Sequence, residues 1–536
     1  MSELSSHPPS HSSSKVAPSA KDPRYSWKVL GIVMIGTLMG ALDQSIVNVS
    51  LPAIMADFGA SLDDIEWVIT GYMLAFATLM PLTAWFRDRV GHKFLFTISL
   101  VVFVVGSLLC GLAWNVPSLV VARVIQAFGG GAIAPTAMAM ITEEFAPHER
   151  AKALGYWGMG VIVGPAFGPT LGGWLTHLFG WRSIFLVNLP IGIVGVALAV
   201  TILKPDRPHP DTHRPFDVWG FAFLSIFLIS FLFGISKGEH EGWTSPMILS
   251  CAALSIAGFV GFLLVESIIP YRIVDITLFK YPVFAACIAV TIVRSLALFG
   301  GVFLLPVYLQ QLRGLDEIDS GILLLWGSLL IGVMMPLSPK LMNAFGPKVV
   351  TVVGLLFVAL FMFLLRNIDM NTSTNEIIWA TLVRGVGIGM IFTPVTVVAL
   401  NSVPKKSAGM ASSMLNLTQQ VGGSVGIAIL ATVLAHRIKF HLAVYGAALS
   451  SASPSFREAL RRVSEHAHLL GFTHAQSARI AGMSIAKSVA VQAQVAAFGD
   501  SFLFAMVIVL GGISAAFLLP NQALKVKQED QLAAME

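Results

Sequence analysis

Apolar runs long enough to cross a lipid bilayer recur along almost the whole chain. A helix needs about 20 consecutive apolar residues to cross the hydrocarbon core, and such runs follow one another after residue 25. Of the 536 residues, 55% are hydrophobic and only 12% are charged, whereas a soluble domain carries about a quarter charged residues. The runs are continuously apolar rather than alternating, which excludes a β-barrel. The sequence therefore predicts an all-α integral membrane protein.

Fourteen separate runs qualify as transmembrane helices. The predicted spans are residues 27–51, 66–86, 93–114, 117–142, 152–177, 183–203, 218–236, 246–269, 282–310, 320–340, 348–366, 376–400, 406–434 and 499–520. Cytoplasmic loops carry an excess of Lys and Arg. With the N-terminus inside, the inner segments hold twenty such residues and the short outer loops hold four. Both termini are therefore predicted to be cytoplasmic, and the net charge of +5 gives no reason to expect a nucleic-acid partner.

Two loops reveal an internal repeat. The stretches AWFRDRVGHK (84–93) and PKLMNAFGPK (339–348) share the spacing of an acidic or amide residue, a glycine and a lysine, and they lie about 255 residues apart. Arg123 and Arg384 recur at a similar distance. Two related halves around a midplane site are typical of secondary transporters. The predicted division is a disordered tail (1–25), an N-terminal six-helix half (26–204), an inserted helix pair (205–280), a C-terminal six-helix half (281–522) and a second tail (523–536).

Sequence signals of an enzyme or a metal centre are missing. The sequence contains no HExxH, GxSxG or P-loop pattern. The three cysteines, Cys110, Cys251 and Cys287, all fall inside predicted spans, which suggests neither disulfides nor metal ligands. We therefore expect no catalytic residue, metal or cofactor.

One carboxylate interrupts the first span. Asp43 stands in LDQSIVNVSLP (42–52), and a central Asp costs roughly 2.5–3.5 kcal/mol to insert in a membrane. Asn48 and Ser50 extend a polar arc that we expect to face a water-filled cavity between the halves. A carboxylate that faces the two sides of the membrane in turn can carry a proton. A fixed ion-pair partner with no transport role is the alternative.

Three arginines, Arg123, Arg294 and Arg384, also fall inside predicted spans. Arg294 lies in the ninth span, the repeat counterpart of the first, so it is expected to face the same cavity as Asp43. We predict that Arg294 either pairs with Asp43 or contacts substrate. Hydrogen bonding between helices is the alternative.

Glycines recur every fourth residue in the fifth span. The set is Gly160, Gly164, Gly168 and Gly172, with Pro165 among them. Small residues at this spacing form a groove against which another helix packs closely. Generic tight packing is the alternative to a functional seam.

The loop after the second span holds a charged cluster, which comprises Arg87, Asp88, Arg89, Gly91 and Lys93. A carboxylate there can pair with the neighbouring cations. Such a cluster could hold an inner gate closed in one state and release it in another. A topology signal alone is the alternative.

Together these motifs resemble the fourteen-helix drug:proton antiporters of the major facilitator superfamily, the EmrB/QacA type, over nearly the whole chain after residue 25. LDQSIVNVSLP resembles the first-helix motif, and RDRVGHK resembles the loop signature with Ala84 in place of glycine. The stretches similar to the other motifs are RVIQAFGGGAIAP (123–135, with Ala127 in place of glycine), GMGVIVGPAFGPTLGGWL (158–175), WRSIFLVNLPIG (181–192) and NLTQQVGGSVGIAI (416–429).

The resemblance implies a major facilitator fold of two six-helix halves plus two extra helices in a bacterial inner membrane. It implies that Arg123 aids proton transfer and that the protein exports toxic amphiphilic small molecules in exchange for protons. Together with the residues discussed above, it predicts proton coupling through Asp43 and Arg123 and a substrate cavity that includes Asn48, Gln126 and Arg294. It also implies that the glycine seam holds the two halves together and limits leak. Three buried cations against one deep anion favour neutral or weakly acidic substrates.

A long segment, residues 435–498, separates the last two spans and is predicted to lie outside. Its stretch FREALRRVSEHAHLL is predicted to form an amphipathic helix, with Phe456, Leu460, Val463 and Ala467 on one face. His466 and His468 are two residues apart and cannot share that face, which argues against a metal. EmrB-like pumps have a similar segment and work with a periplasmic adaptor and an outer-membrane channel, so a docking surface and a simple cap are both open.

Two other functions remain open from the sequence. One is proton-coupled export or import of a single metabolite or siderophore, against which the glycine seam argues. The other is a membrane sensor or scaffold that transports nothing, against which the duplicated halves and buried charges argue.

Overall fold

The computed structural model describes residues 23–205, 215–269, 272–404, 407–448 and 454–522, and these parts fold as helices joined by short connections. The N-terminal half opens on α1 (Pro23–Phe58), which carries Asp43. The other helices of this half are α2 (Leu62–Leu79), α3 (Leu82–Val90), α4 (His92–Gly111), α5 (Val116–Glu144), α6 (Pro147–Phe179), α7 (Ser183–Leu186) and α8 (Asn188–Ile202).

An inserted pair and a second half follow. The pair is α9 (Val218–Glu241) and α10 (Pro246–Ile268), followed by a 3-10 turn (Ile276–Lys280). The C-terminal half comprises α11 (Pro282–Val307), a π turn (Tyr308–Leu312), α12 (Glu317–Phe345), α13 (Pro347–Leu364), a 3-10 turn (Leu365–Asn367), α14 (Thr374–Asn401), α15 (Ala408–Ala448), α16 (Pro454–Leu469) and α17 (His474–Ala516).

The prediction of fourteen spans is matched closely but not in full. Within the described parts, twelve helices are long and apolar enough to cross a membrane, or thirteen when α2 and α3, which meet at a 55° bend, form one span. The remaining predicted span, 152–177, corresponds to α6. This helix has 33 residues and is therefore about 50 Å long. Its many glycines and two internal prolines make it less apolar than the others.

The internal repeat has a geometric counterpart at two tight turns. Gly91 ends α3 with φ 84° and ψ 168°, and Gly346 ends α12 with φ 83° and ψ 156°. The Gly91 N–H donates to the carbonyl oxygen of Arg87 at 2.8 Å, and the Gly346 N–H donates to that of Met342 at 2.9 Å. Glycine adopts a positive φ without steric cost. The shared glycine spacing of the two loops thus encodes the same turn in each half.

We call the end of the bundle that carries Pro23 the Pro23 face. The Lys204 N–H donates to the Tyr25 hydroxyl there at 2.8 Å, and Lys93 Nζ donates to the Leu203 carbonyl at 2.5 Å. We call the other end the opposite face, where Arg182 pairs with Asp57 at 2.9 Å.

The inserted pair bridges the two halves. α9 packs against α10 and also against α2 of the first half and α15 of the second. The Trp67 ring of α2 stacks on the Phe233 ring of α9 with centroids 5.5 Å apart. Lys237 of α9 pairs with Glu66 of α2.

The segment 435–498 is mainly helical rather than an irregular loop. α15 continues to Ala448, and α17 already begins at His474, since both stretches hold several alanines and other good helix formers. Asp500 of α17 accepts hydrogen bonds from Arg437 and His441 of α15, each at 2.6 Å. The predicted amphipathic helix is confirmed as α16. It packs on α17, and its Ala467 is buried.

Candidate functional site

Asp43 lies fully buried in the middle of α1, where three side chains of other helices donate to its carboxylate. Oδ2 accepts from Nη1 of Arg123 at 2.6 Å. Oδ1 accepts from Nε2 of Gln126 and from Nδ2 of Asn188, each at 2.9 Å. Two charges leave water favourably only when their geometry is good and further hydrogen bonds satisfy them. The structure thus brings together Asp43 and Arg123, the two residues predicted to couple protons.

Arg123 is held on every side. Its Nη1 also donates to Gln126 Oε1 at 2.6 Å, and its Nε donates to the Val68 carbonyl at 3.5 Å. The guanidinium lies 3.9 Å from the centroid of the Tyr72 ring, whose face attracts a cation. Its exposure is only 2%. The cation is therefore fixed in one position opposite Asp43.

Asn188 is the residue of this cluster that sequence reasoning missed. It is the first residue of α8 and is 2% exposed. Its Nδ2 is also 3.0 Å from Ser107 Oγ, which donates to the Phe185 carbonyl at 2.8 Å. The only signal was an amide inside the motif WRSIFLVNLPIG, and one amide in a span does not reveal its partner. Asn188 donates to the same carboxylate oxygen as Gln126, but from a different helix.

The glycine seam of α6 packs against α1 beside Asp43. A Cβ on Gly164 would lie 2.8 Å from Ala41 Cβ and 2.9 Å from the Leu42 nitrogen, and one on Gly168 would collide with Ser45. The groove predicted from the spacing is therefore present. Its partner belongs to the same half, contrary to the expectation that this seam joins the halves. Gly155 of the same helix lies outside this seam and makes one of the contacts between the halves, because a Cβ there would lie 2.8 Å from the Met335 carbonyl of α12.

Gly164→Ala is expected to displace α1 at Asp43, because the added methyl meets α1 backbone that cannot rotate away. Overpacking of this kind costs about 1–3 kcal/mol, so we expect a lower melting temperature and slower export. Gly160→Ala is the matched control, since its Cβ would meet nothing closer than the Met34 carbonyl at 3.8 Å. Equal melting temperatures and export rates for the two variants would contradict the close packing.

Arg294 does not pair with Asp43, so the first of its two predicted roles is wrong. Its Nη2 donates to Gln419 Oε1 at 2.7 Å, and its guanidinium lies 4.6 Å from the centroid of the Phe392 ring. Its Nε and Nη1 are buried with no hydrogen-bond partner. The oxygens of Asp43 are already occupied by donors of the first half, whereas Arg294 lies in α11 of the second half.

Phe392 links Arg294 to the other half. The Phe392 ring lies 6.2 Å from the Trp157 ring of α6. Trp157 Nε1 in turn donates to Thr37 Oγ1 of α1 at 2.9 Å. Arg294 therefore stands where the two halves meet.

The other residues that were predicted to line the cavity do not lie together in the structure. Gln126 belongs to the Asp43 cluster and is fully buried, whereas Asn48 is exposed. Ser50 is buried and its Oγ lies 2.7 Å from Thr176 Oγ1 of α6. The predicted polar arc is therefore divided between a helix contact and the exposed surface, because the residues concerned point in different directions around α1.

The charged loop contributes to a contact between the halves at the Pro23 face. The Arg87 guanidinium covers Gly409 at the start of α15, so closely that a Cβ on Gly409 would overlap its Nη1. Thr83 Oγ1 lies 2.8 Å from Ser413 Oγ of the same helix. Arg87 Nε also donates to Asp88 Oδ1 at 2.8 Å. The first half is thus closed against the second at this end.

The remaining residues of the predicted gate hold the loop itself. Lys93 donates to the carbonyl oxygens of Val200 and Leu203 at the C-terminal end of α8. Arg89 lies over the Trp85 ring at 5.2 Å. These contacts stay within the first half. Among the predicted gate residues, Arg87 makes the contact that joins the halves.

Gly409→Ala is expected to open the Pro23 face, because the methyl occupies the position of the Arg87 guanidinium. The populations of open and closed states should shift by about tenfold, which corresponds to about 1.4 kcal/mol. The measurement is thiol labelling of Ser413→Cys from the Pro23 side. Gly446→Ala is the control, since no atom lies within 4 Å of its Cβ position. Unchanged labelling in Gly409→Ala would remove this contact from the gate.

Glu266 lies near the end of α10 but does not face the membrane surface. It is fully buried, and its Oε1 accepts from the backbone N–H groups of Ile273 and Val274, each at 3.1 Å. It fastens the connection between the inserted pair and the second half. Among the residues that the structure describes, no group of three or more His, Cys, Asp or Glu side chains could hold a metal ion.

Comparison with known proteins gives the family. The profile of the Major Facilitator Superfamily matches residues 33–427. An uncharacterised MFS-type transporter of Bacillus subtilis, YhcA, is 30% identical over 96% of this chain and 97% of its own length. The multidrug resistance protein B homolog of Mycobacterium tuberculosis is 32% identical over 76% of each chain. The multidrug export protein EmrB of Haemophilus influenzae is 30% identical over 74% of this chain and 78% of its own length.

A solved structure agrees in fold. The human organic anion transporter MFSD10 superposes with a TM-score of 0.58 at 11% identity, over 91% of this chain and all of that one. The predicted membership is confirmed: this chain belongs to the major facilitator superfamily and, on these relatives, to its drug-efflux branch.

Proposed function

We propose that this protein is an antiporter that exports toxic amphiphilic small molecules in exchange for protons by alternating access. Two relatives bear the names of a multidrug resistance protein and a multidrug export protein. A function has to be argued from the residues of a site, because one fold serves many functions. The observation that carries the proposal is the Asp43 cluster, in which a fully buried carboxylate is neutralised by a single cation.

The chemistry of that cluster supplies the coupling step. A proton on Asp43 removes its charge and turns one oxygen from an acceptor into a donor. Arg123 Nη1 and the amides of Gln126 and Asn188 all donate, so they cannot all retain their bonds to a protonated carboxyl. Protonation would therefore release Arg123 from α1 and change the free-energy balance between the two conformations.

A contact path connects this step to the interface between the halves. Thr37 lies six residues before Asp43 on α1 and holds Trp157, which contacts Phe392. The glycine seam fastens α6 to α1 over the same stretch. A movement of α1 on protonation would thus be transmitted through α6 to the second half.

Orientation follows from charge. The Pro23 face carries Arg87, Arg89, Lys93 and Lys204, and positively charged loops stay in the cytoplasm. We propose that this face is cytoplasmic in a bacterial inner membrane, with both termini on that side. The structure would then be the state closed to the cytoplasm.

The substrate class follows from Arg294. Arg294 is 4% exposed and stands at the junction of the halves, and its Nε and Nη1 have no hydrogen-bond partner. We propose that it contacts the substrate and favours neutral or weakly acidic amphiphiles over multivalent cations.

Arg294→Gln is expected to reduce export of a weakly acidic amphiphile by about tenfold, because one charge-assisted hydrogen bond is worth about 1.5–3 kcal/mol. Export of a neutral amphiphile should fall by less than about twofold. The measurement is the ratio of the two initial rates in vesicles. An equal loss for both substrates would show that Arg294 supports the fold rather than the specificity.

Flux in reconstituted vesicles tests the function as a whole. Purified protein in liposomes should move a fluorescent amphiphile against its gradient when a pH gradient is imposed, in the direction opposite to proton flow. Movement in the same direction as protons would identify a symporter. No movement with any of a panel of amphiphiles would favour a protein that does not transport drugs.

The helical projection of α15, α16 and α17 is the proposed contact for a periplasmic adaptor that leads to an outer-membrane channel. Its tip exposes the apolar side chains of Leu469, Leu470 and Phe472. Exposed apolar side chains that lie together often mark a contact with another protein. Leu469→Asp with Leu470→Asp should abolish drug resistance of cells while transport in vesicles is unchanged. Unchanged resistance would indicate a simple cap.

A further inference from the structure

Arg384 is a buried cation with no ion-pair or hydrogen-bond partner among the described residues. It lies in α14 and is 1% exposed, and its Nε and Nη1 are buried without a hydrogen-bond partner. Phe361 lies beside it, with the ring centroid 5.5 Å from the guanidinium carbon. On the α11 side, a Cβ on Gly301 would lie 3.1 Å from Nη1.

No carboxylate of the neighbouring helices neutralises this charge. α11 and α13 contain no Asp or Glu, and α14 contains only Glu376 in its first turn. α12, which also packs against α14, contains only Glu317 and Asp319, both in its own first turn. Glu376 lies about 12 Å away along the helix, and its Oε1 accepts from Ser373 Oγ at 2.9 Å.

Comparison with the first half of the repeat shows which groups Arg384 lacks. Arg123 is the counterpart of Arg384, and it is satisfied by Asp43 and by Gln126 three residues on. Three residues after Arg384 stands Gly387, packed so closely that its Cβ would lie 2.6 Å from the Gly354 carbonyl. The second half thus keeps the cation and has lost both of the groups that satisfy it in the first half.

An unpaired buried charge is strongly unfavourable unless another group neutralises it. We propose that Arg384 binds a small monovalent anion, chloride, which takes the place that the Asp43 carboxylate has in the first half. The close approach of Phe361 and Gly301 to the guanidinium favours a small ion over an organic molecule. The ion would neutralise Arg384 whatever the charge of the Asp43 cluster.

Thermal unfolding of the purified full-length protein in detergent tests this site. At constant pH and ionic strength, the melting temperature should be about 2–5 °C higher in sodium chloride than in sodium gluconate, with a saturable dependence on chloride. Bromide should act like chloride. Arg479→Gln, an exposed arginine, should retain the full dependence.

Two variants distinguish Arg384 from other anion sites. Arg384→Met should lose the halide dependence and melt in gluconate at least as high as the wild type, because an apolar side chain of similar size removes the unpaired charge. Gly301→Ala keeps the charge but narrows the site, so about fivefold more chloride should be needed for half of the effect. If one of these variants folds poorly, the other still tests whether chloride binds at Arg384.

Two results would overturn the proposal. One is a wild-type melting temperature that is the same in chloride, bromide and gluconate. The other is a halide dependence that survives in Arg384→Met. A saturable effect of salicylate without any effect of chloride would assign the site to an organic carboxylate instead.

Discussion

Asp43→Asn is expected to abolish substrate-induced proton release from energised inverted vesicles. The loss should be about 100-fold or more, as for removal of a group that transfers a proton. Asparagine has nearly the same shape and keeps an oxygen for Gln126 and Asn188, but it cannot bind or release a proton near neutral pH. Substrate binding and exchange of substrate without protons should remain, since Arg294 and Phe392 are unchanged.

Asp57→Asn is the matched control for this variant. Asp57 lies near the end of the same helix and pairs with Arg182 on the opposite face, with a side-chain exposure of 45%. It should release protons like the wild type. If Asp43→Asn exchanges protons normally at equal amounts of reconstituted protein, Asp43 has a structural role, and the coupling group lies elsewhere.

Arg123→Met is expected to be the most destabilising of these single changes. It leaves the Asp43 carboxylate buried without its cation, and breaking one partner of a buried pair costs about 3–5 kcal/mol. The measurement is the melting temperature of purified protein in detergent at neutral pH. A carboxylate without a cation regains stability when it is protonated, so the deficit of the variant should shrink as the pH falls.

The double variant Asp43→Asn with Arg123→Met shows whether the loss comes from the charge. Both charges are then gone, and the melting temperature should recover well above that of Arg123→Met alone. A double-mutant cycle of this kind isolates the interaction between the two residues. If the decrease in melting temperature of the double variant equals the sum of the decreases of the two single variants, Arg123 stabilises the fold through Tyr72 and Val68 rather than through Asp43.

Agreement between sequence and structure is greatest where one physical rule acts locally. The cost of exposed backbone in hydrocarbon makes each apolar run a helix, so the spans follow from composition alone. Gly91 and Gly346 each form a tight turn with a positive φ, so the repeat of the two loops could be recognised from the sequence. The apolar spacing of Phe456, Leu460, Val463 and Ala467 in the same way predicted α16.

The sequence did not predict which side chains of different helices contact each other. Arg123 and Arg294 are both arginines in the middle of apolar spans, and nothing local says which of them meets Asp43. The same holds for Asn188, which reaches the carboxylate only because α8 packs beside α1. The glycine spacing predicted a groove in α6, but the identity of the helix that fills it depends on how α6 is rotated.

The sequence by itself determined a helical membrane protein of two related halves with one deep carboxylate, because hydrophobic length and residue spacing are properties of the chain. The tertiary structure alone decided that Asp43 contacts Arg123 and Asn188, that Arg87 covers Gly409, and that no carboxylate of the neighbouring helices reaches Arg384. Those contacts depend on the rotation and depth of each helix against its neighbours. These are set by the packing of many side chains at once rather than by any one segment.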